Sequence, residues 1–174
     1  DKPYTPNLHP FNWRGWWDYG TGALGDVGCH LIDIPFRTLG LKYPKDAECS
    51  VGSVFTKMWT PEYIPEGCPP SSLITLHFNA TEKNPSPIEM TWTDGGIRPP
   101  HPSIIPANSD IGGPGSGNGV LMIGEKGIIS TNINDSSPLT PKLYLNDGTT
   151  EFGPEIEKNS EPEYGHQRKW VDAC

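Results

Sequence analysis

The chain is poor in what several functional classes need. Of its 174 residues only 34% are hydrophobic, and 13 Lys and Arg face 21 Asp and Glu, for a net charge of −8. Nucleic acid and anionic membrane surfaces are bound through clustered cations. Here the basic residues are scattered, so neither is expected as a partner. Cys29, Cys49, Cys68 and Cys174 form no C-x-x-C pair and no metal-finger spacing, and are expected as free thiols. No apolar run reaches the roughly 20 residues of a membrane-spanning helix. A signal peptide is not evident either, and the compartment, cytoplasmic or periplasmic, stays open. The chain opens on Asp1 and stops within the helix-like Lys169-Trp170-Val171-Asp172-Ala173-Cys174. It is therefore expected to be a piece of a larger two-domain protein.

What is present points to one domain spanning 1–174. Twenty Gly and twenty Pro imply long ordered loops, while six Trp, six Tyr and five Phe supply material for burial. Residues 1–19 are irregular and rich in Pro and aromatics. Thr21 is a candidate N-cap for a helix over 22–39, ended by Gly40, with Pro35 kinking its last turn. Alternation predicts strands over 47–59, 72–79 and 87–93, with a Pro-rich loop at 61–70. Residues 94–118 form a 25-residue loop, long enough to suggest a functional or oligomer-facing segment. Hairpins follow at 119–124/127–131 and 142–145/149–152, then a C-terminal helix from 161. Strands joined by hairpins, with few helices, predict an α+β fold built on an open, mainly antiparallel sheet with helices on one face.

Gly20-Thr21-Gly22-Ala23-Leu24-Gly25 matches the G-x-G-x-x-G of a dinucleotide-binding turn. That turn needs a buried strand immediately before it and an acidic residue at the end of the next strand. The lead-in Asn12-Trp13-Arg14-Gly15-Trp16-Trp17-Asp18-Tyr19 is no apolar strand, and Asp46 and Glu48 precede the next strand. The match is read as a glycine-rich helix start.

The helix carries the chemistry instead. Asp26, His30, Asp33 and Arg37 fall within about 60° of one another on a helical wheel, beside an apolar stripe of Val27, Leu31, Ile34 and Thr38 that Leu24, Ile32 and Leu39 extend. Contact between Asp26 and His30 would raise the imidazole pKa and fix its tautomer, as a general acid/base requires. The plainer alternative, which spacing alone favours, is a surface row of i,i+4 ion pairs. A metal site is disfavoured, since Cys29 points away from His30 and two carboxylates with one His are an incomplete set.

The segment Gly20–Asp33 resembles the G-G-G-x-L-x-D-x-G-x-H-x-x-D stretch of the glucose–fructose oxidoreductase / inositol dehydrogenase / MocA (Gfo/Idh/MocA) family, departing at Thr21 and Gly25. Trp13-Arg14-Gly15-Trp16-Trp17-Asp18-Tyr19, Asp94-Gly95-Gly96-Ile97-Arg98-Pro99-Pro100, residues 119–127 and Gln167–Cys174 resemble further segments of its bacterial subgroup with long C-terminal domains. The resemblance implies a dihydrodipicolinate-reductase-like C-terminal domain, without its Rossmann half, that binds substrate and forms a homodimer or tetramer through its sheet face. It implies NAD or NADP as cofactor of the full-length protein, with none bound by this chain alone. The substrate would be a sugar or cyclitol hydroxyl, with His30 and Asp26 catalytic. Arg14, Trp17, Tyr19 and Asp33 would bind substrate, and Gly20, Thr21 and Gly22 would approach the nicotinamide. Two alternatives stand beside this: a domain of an NAD-dependent glycoside hydrolase of the same family, and a non-catalytic carbohydrate-binding or scaffold module. Trp13 is a further candidate for the sugar site. Arg98 and His101 are read mainly as surface-loop residues and His166 as solvent-facing. His77 is expected on the sheet face away from the core. Asn79-Ala80-Thr81 and Asn134-Asp135-Ser136 match glycosylation acceptors.

Overall fold

The predicted helix over 22–39 forms as two helices, α1 (Gly22–Leu31) and α2 (Asp33–Leu39), separated at Ile32. Pro35 explains the division, because it has no N–H for the Leu31 carbonyl and its ring crowds that group. The disturbance thus falls a full turn earlier than the last-turn kink expected from the sequence. Gly40, at φ 63°, ends α2 in the left-handed conformation, and the Leu41 N–H closes the turn on the Phe36 carbonyl at 2.9 Å. Thr21 holds the N-cap position of α1, but its side chain makes no capping hydrogen bond. Leu31, Gly28 and Pro35 are buried, Val27 and Ile34 half-buried, and Thr38, expected in the apolar stripe, is exposed.

The computed structural model describes residues 6–8, 10–109, 111, 118–132, 141–154 and 164–174. Within them the protein is α+β, with nine strands, all paired antiparallel, in three separately hydrogen-bonded sheets. Strands β1 (Asp46–Val51), β4 (Ser72–Phe78) and β5 (Ile88–Thr93) form the first, with β4 central. The expected strand over 47–59 breaks at Gly52-Ser53. Its second part, β2 (Val54–Lys57), pairs with β3 (Thr60–Glu62), which lies partly in the predicted loop.

Alternation along β4 sorts the first sheet into two faces. Ile74, Leu76 and Phe78 stand opposite Trp92, Met90 and Ile88, giving an apolar face. Asp46, Glu48, Thr75, His77, Glu89 and Thr91 share the other. Asp94, just past β5, fastens the sheet end. Its carboxylate accepts from the Ser72 N–H (2.6 Å), the Ser72 hydroxyl (2.7 Å) and the Trp92 indole (2.7 Å). The next residue must be glycine: Gly95 sits at φ 62°, and a Cβ there would lie 2.1 Å from the Pro70 carbonyl oxygen.

The other large sheet runs β6 (Gly119–Gly124), β7 (Gly127–Asn132), β8 (Lys142–Leu145), β9 (Thr150–Phe152), as the two predicted hairpins require. Its core is Ile105, Ile128 and Tyr144, with Ile104, Ile111 and Leu121 packed around them. Three of those six come from the long loop after β5. What its length suggested as a functional segment therefore supplies core side chains. The His101 ring nitrogens each lie 3.2 Å from a carbonyl of the same loop, those of Pro102 and Ser109. Helix α3 (Gly165–Ala173) is the described part of the C-terminal helix; residues 161–163, the His166 side chain and the Asn134-Asp135-Ser136 match lie outside the described residues.

Burial is sparse. Seven apolar residues form the described core, and no side chain is below 2% exposure. Large apolar side chains consequently remain open on several elements. The four cysteines are unpaired, and among the described residues no helix is long and apolar enough to cross a membrane.

Candidate active site

The aromatic lead-in folds as a 3-10 turn, Asn12–Gly15, which places Arg14 against the start of α1. The Arg14 guanidinium carbon lies 4.3 Å from the Phe11 ring centroid and 4.4 Å from that of Trp13, so the cation stacks on two rings. Its Nε donates to the Asp26 carboxylate, at 3.1 and 3.2 Å from the two oxygens. Trp17 is tied by its backbone N–H to the Glu66 carbonyl (2.9 Å), and Cys68 by its own to the Gly15 carbonyl (2.8 Å). Trp13, Trp17 and Tyr19 are all exposed. Burial pushes the Cys68 thiol pKa up, which makes it a poor nucleophile.

The structure does not make the expected Asp26–His30 contact. Asp26 turns to Arg14, twelve residues earlier, because the 3-10 turn brings a fixed cation beside the first turn of α1. His30 is exposed, and among the described residues it has no hydrogen-bond or ion-pair partner. Further along the row, Asp33 and Arg37 lie 3.9 Å apart as an exposed i,i+4 pair. Of the four, Asp26 is held by Arg14 and Asp33 pairs with Arg37 within α2, while His30 lies near the end of α1. An imidazole free at both nitrogens can exchange a proton with a bound hydroxyl, and a neutralised guanidinium–carboxylate pair can still hydrogen-bond one.

The glycine run fits no dinucleotide phosphate. The Gly20 N–H is already given to the Trp16 carbonyl (2.8 Å). A Cβ on Gly20 would sit 2.5 Å from the Arg14 carbonyl oxygen, so this glycine serves the close approach of two stretches of the same chain. Among the described residues no strand precedes it, so the strand–helix turn of a phosphate cradle is not formed there. Among the described residues no group of three His, Cys, Asp or Glu side chains is placed to hold a metal ion.

The sequence reading missed a second polar arrangement. His77, on β4, stands between Asp46 on β1 and Glu89 on β5 in register. Its Nδ1 donates to the Asp46 carboxylate, and its Nε2 lies 3.7 Å from a Glu89 oxygen. The hydrogen bond to Asp46 first, then the charges of Asp46, Glu48 and Glu89, raise the His77 pKa above its ordinary value despite partial desolvation. The same bond lowers that of Asp46. Alternation revealed the face His77 occupies; only the strand register reveals its neighbours. The Arg14–Asp26 pair was equally hidden, since nothing in the spacing of residues twelve apart joins a turn to a helix. Arg98 makes no interaction with the described residues, and the Thr81 hydroxyl of the Asn79-Ala80-Thr81 match donates to the Leu39 carbonyl (2.7 Å). Compared with known proteins, the chain matches no family model, and no curated protein is significantly similar to it.

Proposed function

We propose that the chain is the substrate-binding domain of an NAD(P)-dependent oxidoreductase of the Gfo/Idh/MocA type, acting on a sugar or cyclitol hydroxyl. The observation that carries this reading is the group at the start of α1: an anchored Arg14–Asp26 pair, exposed Trp13, Trp17 and Tyr19, and an unengaged His30 one turn on. Aromatic faces suit the apolar faces of sugar rings, the ion pair suits hydroxyls, and a free imidazole suits the proton that an alcohol must lose on oxidation. Asp33, at the start of α2, is a further candidate for a substrate hydroxyl. The residues present do not fit a dinucleotide phosphate, since the Gly20 N–H is already taken by the Trp16 carbonyl. In this reading Gly20, Thr21 and Gly22 line only the nicotinamide side, and another domain holds the rest. Its sheets would provide the surface for a homodimer or tetramer.

The decisive experiment places His30→Ala in the protein together with its dinucleotide-binding domain and follows NAD(P)-linked oxidation of a sugar or cyclitol panel. The expected result is a fall in kcat of about 10² to 10⁴-fold, with the 174-residue chain alone showing no NAD(P)H binding by fluorescence titration. Unchanged turnover, or micromolar NAD(P)H binding by this chain alone, overturns the reading. One observation favours a non-catalytic carbohydrate-binding module: Asp26 is committed to Arg14, leaving His30 with no group to fix its tautomer. Sugar binding that survives His30→Ala and is lost on Trp17→Ala, without turnover in either form, would select that alternative.

A further inference from the structure

The lead-in to the candidate site is backed by a second stretch of chain. Gly15–Trp17 runs antiparallel to Glu66–Cys68. The Trp17 N–H donates to the Glu66 carbonyl (2.9 Å), the Cys68 N–H donates to the Gly15 carbonyl (2.8 Å), and Trp16 bridges Gly67. The Gly67 N–H closes a turn on the Ile64 carbonyl at 3.1 Å, and Tyr63 stands immediately before that turn. Tyr63 is therefore no more than about 11 Å of chain from Glu66, and the residue before it ends β3.

The β2–β3 hairpin thus projects from the backing of the site. It is open to solvent at every position, with Phe55 59%, Trp59 87% and Tyr63 86% exposed. Phe55 pairs with Pro61 across the hairpin. Continuing the alternation puts Tyr63 on the same side, about 7 Å further along the strand. The two rings and the proline make an apolar strip, Trp59 lies at the tip, and Lys57, Glu62 and Glu66 are exposed beside it. An exposed apolar patch with polar edges marks a place where a ligand or partner binds. Continuity decides which. The strip begins where the Trp17 and Tyr19 segment is pinned, so the rings suited to a first sugar unit are followed by rings suited to the next ones.

We infer that the substrate is a neutral oligosaccharide. Its reacting unit lies at Trp17, Tyr19 and His30, and further units stack on Tyr63, then Phe55, with Trp59 outermost. This rests on the sugar reading above and names the substrate within it. The ring faces of the outer units meet the aromatic faces, and their hydroxyls reach the charged groups at the edge. A chain at net charge −8 disfavours a polyanionic glycan on the same strip. One sugar ring cannot occupy both the site and the arm, so dependence on chain length is the signature.

The test titrates the 174-residue chain calorimetrically with cello-, malto-, xylo- and manno-oligosaccharides, each from the monosaccharide to the pentasaccharide. NAD(P)-linked turnover of the same series is followed with the dinucleotide-binding domain present. The expected result is a series in which affinity rises and KM falls with chain length. Tyr63→Ala then weakens the longer members by about three- to tenfold and leaves the monosaccharide unchanged. Trp59→Ala acts only on longer chains than Tyr63→Ala does, and Phe152→Ala, exposed on β9, changes neither. No gain with length in any series, or an equal loss for the monosaccharide on Tyr63→Ala, overturns the inference. Monosaccharide turnover that depends on His30 but shows no gain with length overturns it alone and leaves the oxidoreductase reading standing. Length-dependent binding without turnover supports the strip and overturns that reading instead.

Discussion

His77 binds its proton more tightly in the folded chain than in the unfolded one, because Asp46, Glu48 and Glu89 share its sheet face. Its contribution to stability is therefore complete below the ordinary histidine value of 6.5 and is lost as pH rises through the higher folded value. Asp46 runs the other way: its contribution is present above its ordinary value of 3.8 and is lost as pH falls through the lower folded one. The pair stabilises most where both are charged, around pH 5. Urea midpoints of the wild type and His77→Asn should differ most there and converge in alkaline buffer. A gap that ignores pH would show that the carboxylates do not act through this histidine. Arg14 is a different kind of residue, held by geometry rather than titration. Two rings and a carboxylate fix its planar guanidinium, a setting that a lysine ammonium does not reproduce.

At the scale of elements, periodicity was a good guide where neighbours in sequence decide the outcome. The helix after Thr21, the alternation of β4 and β5 and the turn at Glu125-Lys126 follow from local residue choice, and all appear. The division at Ile32 was readable in kind but not in place, because Pro35 acts on the turn before it. Partnership between distant elements was not readable. Asp26 choosing Arg14, His77 meeting Asp46 and Glu89, and Ile105 joining a sheet that starts fourteen residues later are all consequences of the folded arrangement. The last of these gives a test of the loop. Ile105 is 3% exposed, so Ile105→Ala should cost about 2–4 kcal/mol. Hydrogen exchange should then quicken in β6–β9 and stay slow in β4. Loss confined to the loop itself would mean that it merely rests on the sheet.

On the scale of the whole molecule, the described residues bury few apolar side chains, and side-chain contacts gather at the base of α1, the His77 face and the Asp94 end of the first sheet, and the Ile105 core. Its charge is just as uneven in effect, at −8 overall. The Arg14–Asp26 pair sets what this means for a ligand. The cation beside the exposed aromatics already has its counter-charge, so it has no unpaired charge to offer an approaching anion, and the surrounding field repels one. If the proposed sugar-binding reading holds, selectivity by charge precedes any reading of shape. Uronates and sugar phosphates should bind more weakly than their neutral parents in titrations at low ionic strength. Added salt should narrow that difference, and Asp26→Asn, by releasing the guanidinium, should reverse it.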